Sequence, residues 1–236
     1  MTGLSTNDLL TAWETGHARH PVDRALVLLS FASPGTAPAL LAELSIGERN
    51  AHLMQLRELT FGPDIRALAD CPSCGESIEL DSDTNQLTVA APDEVPLSLD
   101  VDGYRVAFRL PTSSDLAAVR AAPDVATARH NLLERCSSGN VPAGEMPETL
   151  KEAIAAAMEH ADPQSEVRLA LECPACGRHW EELFDVASFL WTEVNAWALR
   201  ALRDVHQLAS AYGWGEAEIL AMTPCRRQVY LEMTAG

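Results

Sequence analysis

Two short segments of the chain share one pattern of residues that could do chemistry. Both follow Cys-Pro-x-Cys-Gly, as CPSCG at 71–75 and as CPACG at 173–177. Two residues between the cysteines allow both sulfur atoms to face one metal ion from a tight turn. The proline presets the turn, and the glycine permits a positive φ, so that backbone amides can point back at the sulfur. Each segment therefore predicts a turn that supplies two metal ligands.

A closed structural zinc site needs four ligands, so we expect the two segments to meet in space. The flanks favour this, because CPSCGESIEL is a turn leading into a strand and LALECPACGRHWEELFDV is strand, turn and strand. Together they predict a zinc ribbon whose connecting loop has grown into an inserted segment. A long loop adds little closure entropy, and zinc binding of roughly 10–16 kcal/mol exceeds that cost. The predicted Zn²⁺ ligands are Cys71, Cys74, Cys173 and Cys176.

Three other uses of cysteines in this pattern are a redox pair, a catalytic zinc site and a mixed site with a histidine ligand. A thioredoxin-like redox pair needs one CxxC at a helix N-terminus, whereas this chain has two copies followed by glycine and strand-like sequence. A catalytic zinc keeps an open coordination position, which four thiolates do not leave. His179, three residues after Cys176, could replace one ligand, but a strand-facing histidine beside Trp180 is the simpler interpretation.

The remaining cysteines and the other motifs give no catalytic pattern. Cys136 and Cys225 lie on helical stretches, where we expect buried free thiols. The sequence contains no GxSxG elbow, no HExxH pair and no Walker loop. GWGEAE, which starts at Gly213, follows a helix and not a strand, so it predicts a helix stop and the next helix start. We expect a protein that is not an enzyme.

The overall charge disfavours some classes of partner. The net charge is −17, from 34 acidic and 17 basic residues. Such an excess works against binding to nucleic acid phosphates and to anionic lipid. It indicates a solvated acidic surface or one complementary to a basic protein partner. The first ten residues lack a secretory signal, and the longest apolar stretch, residues 25–32, is too short to span a bilayer. We expect a cytoplasmic protein without membrane insertion.

The hydrophobic patterning predicts an α+β fold with helical N- and C-terminal parts around the zinc-ribbon-like β element and its inserted α/β segment. Alternation in YRVAFRL (104–110) predicts a strand in the insert, and residues 137–146 predict a loop. Residues 88–103 are acidic and interrupted by prolines. The expected organisation has four parts. They are an N-terminal helical region (1–67), the ribbon halves (68–82 and 168–186), the insert (83–167) and a C-terminal helical region (187–236).

Helix start and stop residues support the two helical parts. Ser45 and Glu48 have the spacing of a capping box. Apolar residues at steps of three and four between Leu190 and Tyr212 predict one long amphipathic helix that Gly213 closes. The tryptophans on and beside this helix predict core packing or, alternatively, an exposed face for a partner protein. Arg226 and Arg227 predict a solvated last helix, with a partner or an internal acidic contact as alternatives.

Several of these stretches resemble one protein family. They are LLTAWETGHARHPVDRALVLLSFASPG, LSIGERNAHLMQLRELTFG before CPSCGE, and the ending YGWGEAEILAMTPCRRQVYLEM. The pattern is similar to the baseplate hub assembly chaperone family of T-even-like contractile-tailed phages, also met in phage-like contractile injection systems. VRLALECPACGRHWEELFDVASFLW resembles the version found in bacterial contractile injection clusters.

The resemblance implies a structural or assembly protein of a contractile baseplate, whose partners are baseplate or hub proteins and which can become part of a phage tail-like particle. Two other classes stay open at this stage. A zinc ribbon can act on nucleic acid or the transcription machinery, although the knuckles neighbour several glutamates. The other of these two classes is an enzyme that uses one CxxC for thiol chemistry.

Overall fold

Helices form both ends of the chain, and short strands lie between them together with further helices. The computed structural model describes residues 1–92, 96–139 and 146–234. The helices are α1 (Thr6–Gly16), α2 (Pro21–Ala32), α3 (Pro38–Ala42), α4 (Ile46–Phe61), α5 (Ser113–Val119), α6 (Val125–Cys136), α7 (Glu148–Ala161), α8 (Val186–Tyr212), α9 (Glu216–Leu220) and α10 (Pro224–Thr234). The strands are β1 (Asp64–Asp70), β2 (Ser77–Asp83), β3 (Ser98–Val101), β4 (Tyr104–Phe108), β5 (Ser137–Gly139), β6 (Val167–Glu172) and β7 (His179–Phe184). This arrangement confirms the predicted mixed fold with helical ends.

The N-terminal helices and the first half of α8 share one hydrophobic core. Leu28, Leu53 and Val194 are almost fully buried in it. Arg57 of α4 ties the helices together, because its Nε and Nη2 donate to the carboxylate of Glu193 on α8 at 3.0 and 2.9 Å. Charge-assisted bidentate contacts of this kind are among the stronger hydrogen bonds in proteins. They hold α8 against α4 over the core.

Two separate antiparallel hairpins carry the Cys-Pro-x-Cys-Gly turns. β1 pairs with β2 from Asp64↔Asp83 to Asp70↔Ser77. β6 pairs with β7 from Val167↔Phe184 to Glu172↔His179. The sequence predicted only one strand beside the first turn, and it placed residues up to 67 in a helical region. β1 was missed because the alternating positions of its short strand carry mostly alanine, a weak strand former.

The inserted segment has its own hydrophobic cluster. β4 lies between β3 and β5 in a three-stranded sheet, and Val106 and Ile154 are at most 1% exposed beside it. Asp115, also about 1% exposed, accepts from the guanidinium of Arg109 at 2.8 Å. This contact outweighs the burial and holds the pKa of the carboxyl well below its ordinary range. The aspartate therefore stays ionised and fixes α5 to the strand end.

The insert joins the helical part at the N-terminus of α4. The Ser45 and Glu48 capping box is present as predicted. Next to it, the backbone N–H of Gly47 donates to Asp162 Oδ2 at 2.8 Å. Asn50 Nδ2 donates to the carbonyl oxygen of Gln164 at 3.1 Å, in the short 3₁₀ turn before β6. Burial of the Asp162 carboxyl raises its pKa although the Gly47 amide opposes this. These buried polar contacts position β6 against α4.

After α8 the chain reverses direction, and α9 and α10 contact α8. Gly213 caps α8 in the left-handed conformation, as predicted from GWGEAE. Leu208 and Ile219 are fully buried at the corner. The rings of Tyr212 and Trp214 stack at 4.5 Å, and Tyr230 packs edge-on against Trp214 at 4.8 Å. The aromatic contacts hold α10 near the end of α8.

Two segments of the insert are only partly described. Residues 93–95 of the acidic stretch and residues 140–145 of the loop predicted at 137–146 lie outside the described residues. The first residues of that predicted loop form β5 instead. Among the described helices, none combines the length and apolar character needed to cross a bilayer.

We expect Gly47→Ala to destabilise the protein although alanine is the better helix former. A Cβ at this position would lie 1.8 Å from Asp162 Oδ1, so the buried carboxylate would have to move. The overpacking should cost about 1–3 kcal/mol in the free energy of unfolding. Chemical denaturation measures the change. Gly35→Ala is the matched control, because nothing lies within 4 Å of its added Cβ; an equal effect of both variants would contradict the account.

Candidate metal centre

The two Cys-Pro-x-Cys-Gly turns have the same backbone structure. In the first, Cys71 N donates to the Glu76 carbonyl and Gly75 N donates to the Cys71 carbonyl, both at 2.9 Å. The second turn repeats these bonds, from Cys173 to Arg178 at 2.8 Å and from Gly177 to Cys173 at 2.9 Å. The two turns are therefore copies of one sulfur-presenting loop, each closing a hairpin.

The predicted positive φ at both glycines is confirmed. φ is +76° at Gly75 and +70° at Gly177, values in the left-handed region that glycine adopts without a steric cost. This conformation lets the chain reverse immediately after the second cysteine of each turn. A residue with a Cβ would strain the loop there.

The fold brings the four cysteines of the two turns together. Cys71 Sγ lies 3.7 Å from Cys176 Sγ, and Cys74 Sγ lies 3.6 Å from Cys173 Sγ. All four sulfur atoms lie within 4.8 Å of one another. Thus the first cysteine of each turn contacts the second cysteine of the other turn, which gives the cluster a local twofold arrangement.

The sulfur spacing fits a tetrahedral metal ion. Four sulfurs at the usual zinc–sulfur distance of about 2.3 Å would lie about 3.8 Å apart along each tetrahedral edge. The two short contacts are within about 0.2 Å of that length. Four sulfur donors also suit zinc better than the oxygen-preferring Mg²⁺ or Ca²⁺. The cluster therefore has the donor set and the dimensions of a structural Cys₄ site.

The sulfur atoms differ in how readily they lose a proton. Burial opposes ionisation of the Cys71 thiol, but hydrogen bonds from the backbone amides of Cys74 and Ser73 lower its pKa to about 7. At Cys74 a backbone bond at Glu76 favours the thiolate, yet the adjacent Cys173 sulfur and burial raise the pKa to about 12. Metal binding to such a cluster must displace protons, and its affinity therefore rises with pH.

Other candidate residues lie outside the cluster. His179 is exposed on β7, where its Nε2 is 3.8 Å from Glu172 Oε1, and it is not among the residues whose ligand atoms converge. Cys136 is buried, as predicted. The expectation of a buried Cys225 was wrong, since its side chain is exposed. α10 packs against α8 through the face that carries Arg227, and Cys225 lies on another face.

The tryptophans and the last arginines mostly make internal contacts. Trp191 is buried in the N-terminal core, below the guanidinium of Arg24 at 4.9 Å. The prediction of core packing is confirmed for this residue. Arg227 pairs with Asp204 at 3.3 Å, so the internal acidic contact replaces the predicted solvated surface. The sequence could not identify that partner, because the two residues lie on different helices.

The fold and the cluster define a mixed α+β protein in which two distant hairpins form a zinc-ribbon-like element. Residues 31–139 match the model of the family described as T4 bacteriophage base plate protein. The match confirms the resemblance to a phage baseplate protein family that the sequence indicated. It spans α3 to β5, including the first cysteine turn, and ends before the second turn and the C-terminal segment.

No curated protein and no solved structure matches the chain. The hub-assembly subtype within the baseplate proteins therefore stays a prediction.

We expect the metal-free protein to form disulfides between the two hairpins on mild oxidation. The cross-turn pairs Cys71–Cys176 and Cys74–Cys173 already have their sulfur atoms within 3.7 Å. Peptide mapping after treatment with a chelator and a thiol oxidant would detect the linked segments. Cys136, which is buried, is the internal control and should stay reduced. Linkages only within each turn would contradict this expectation.

Proposed function

We propose that the chain is a non-enzymatic structural or assembly protein of a contractile tail or injection-system baseplate. The observation that carries this proposal is the match of residues 31–139 to a T4 base plate protein family. A chaperone-like role during assembly of the baseplate hub is the specific form, and its partners are baseplate or hub proteins. In that role the protein is either built into a phage tail-like particle or released from it after assembly.

In this proposal a structural Zn²⁺ bound by Cys71, Cys74, Cys173 and Cys176 stabilises the scaffold. The bound ion supplies a cross-link and no reaction, because four thiolates fill its tetrahedral coordination. Two turns with the same backbone hydrogen bonds position the four sulfur atoms around the ion. Isolated two-stranded hairpins are marginal in water, so a cross-link between them has a clear energetic use.

The insert at 83–167 is the part that the scaffold would present to partners. It carries a hydrophobic cluster of its own, which supports its treatment as a separate folding unit between the ribbon halves 68–82 and 168–186. The helical regions 1–67 and 187–236 form the base. Because the chain carries a net charge of −17, complementary basic surfaces on the partner would speed association.

The surroundings of the cysteines do not favour the alternative of a nucleic-acid-binding ribbon. The exposed side chains next to the two turns are predominantly acidic, as at Glu76, Glu79, Glu172, Glu181 and Glu182. Ribbon modules that bind phosphates need basic or aromatic faces instead. A protein surface is the partner that this charge distribution fits better.

The metal proposal predicts about one zinc per chain and a strong effect of Cys71→Ser. Loss of one thiolate leaves an incomplete site and releases the link between the hairpins. The thermal midpoint should fall by more than about 5 °C, since a loss of 1 kcal/mol lowers it by roughly 2–4 °C in a chain of this size. Elemental analysis and calorimetry measure the two quantities.

His179→Ala is the matched control for this experiment. It removes a potential ligand next to the second turn, yet its exposed side chain lies outside the sulfur cluster. Metal content and thermal midpoint should both stay at the level of the unmodified protein. Stoichiometric zinc that is lost in Cys71→Ser without any fall in the midpoint would show that the metal has no structural role.

The baseplate role predicts that the tagged chain co-purifies with co-expressed baseplate or hub subunits. Co-expression followed by affinity capture and mass spectrometry tests this directly. A variant without the first ligand pair, Cys71→Ser with Cys74→Ser, should lose these partners together with the zinc if the scaffold presents the binding surface. Failure of the unmodified, zinc-loaded chain to retain any such subunit would count decisively against the role.

A further inference from the structure

Three arginines converge on one small cavity between α8 and α10. The cavity has a volume of about 300 Å³, and its wall includes Arg200, Arg203 and Arg227 together with Trp197. Asp204 is the single carboxylate in that wall. A local excess of positive charge is notable in a chain with twice as many acidic as basic residues.

The arginines of this cavity are incompletely paired. Among the residues that the structure describes, Arg200 and Arg203 make no ion pair with a carboxylate, and both are exposed. Two guanidinium groups in the cavity wall are therefore free to engage an anion that enters it.

Arg227 provides the independent indication of a ligand. Its side chain is only 9% exposed, and its Nε contacts Asp204 Oδ2 at 3.3 Å. Its Nη1 is buried and has no hydrogen-bond partner within the described parts of the chain. A buried charged donor without an acceptor is costly, so the protein gains free energy when an acceptor reaches this guanidinium.

The helix geometry adds to the positive potential. α10 begins at Pro224, which also lines the cavity. The N-terminus of a helix carries the positive end of the backbone dipole and attracts anions. The cavity thus combines three guanidinium groups, a helix N-terminus and the ring of Trp197 against a single carboxylate that Arg227 already engages.

We propose that this cavity, the α8–α10 arginine pocket, binds an oxyanion group. Guanidinium groups recognise carboxylates and phosphates through paired N–H donors. A volume of about 300 Å³ is at the lower end of ligand sites, which suits a single charged group and not a nucleotide. The source is either an acidic side chain of a protein segment or free inorganic phosphate. The inference depends neither on the metal centre nor on the baseplate role.

Titration at low ionic strength with two probes tests the pocket and distinguishes the sources. The probes are inorganic phosphate and an end-blocked oligoglutamate peptide, with sodium chloride of equal ionic strength as the control for screening. Tryptophan fluorescence reports binding through Trp197. Because the chain has five tryptophans, a Trp197→Phe variant identifies the share of the signal from that residue.

Two sets of variants locate the site. Arg227→Gln removes the buried donor, and the paired change Arg200→Gln with Arg203→Gln alters only exposed side chains, which protects the test against misfolding. Both should weaken binding at least tenfold, whereas Arg19→Gln, at an exposed arginine in the turn between α1 and α2, should not change it. Saturation by phosphate assigns a free oxyanion, and saturation by the peptide alone assigns a protein carboxylate. No saturable binding, or equal binding by all variants, would overturn the proposal.

Discussion

The contact between the sulfur atoms of two hairpins is the constraint on which the rest of the structure depends. Cys71 and Cys176 are 105 residues apart in the chain, yet their sulfur atoms are 3.7 Å apart. The first hairpin leads into the insert and the second follows it. A link between their turns therefore fixes where the insert begins and where it ends. Since closure entropy rises only slowly with loop length, one cross-link can hold a segment of this size.

A second set of contacts lies at the end of the hairpins opposite the cysteine turns, where the insert returns to the helical part. The carboxylate of Asp162 accepts the Gly47 amide at the N-terminus of α4, and the side chain of Asn50 donates to the next turn of the chain. These contacts are short and buried, so their loss leaves unsatisfied polar groups. With the sulfur cluster at one end and this joint at the other, the path of β6 is fixed at both of its ends.

Local features of the fold could be predicted from the sequence because their causes lie within a few residues. The capping box at Ser45, the helix stop at Gly213 and the two CPxCG turns each depend on adjacent side chains and backbone. The convergence of the turns was also predictable, because zinc chemistry requires four ligands where each turn offers two. Coordination chemistry supplied long-range information that hydrophobic patterning lacks.

Features set by packing between distant elements could not be predicted in this way. β1 is rich in alanine and becomes a strand because it pairs with β2 and buries Ile65. Exposure of Cys225 depends on which face of α10 meets α8, and the pairing of Arg227 with Asp204 depends on the angle between those helices. Helical periodicity gives the faces of each helix, but the neighbour that covers a face is a property of the tertiary structure.

X-ray absorption spectroscopy at the zinc edge tests the central claim most directly. The purified chain, expressed with zinc and without chelator, should show a first shell of four sulfur atoms at about 2.3 Å. That result would place the ion between the two turns, since each turn holds two of the four cysteines that converge. A shell containing nitrogen or oxygen ligands, or the absence of bound zinc, would contradict the account of a closed four-cysteine cross-link.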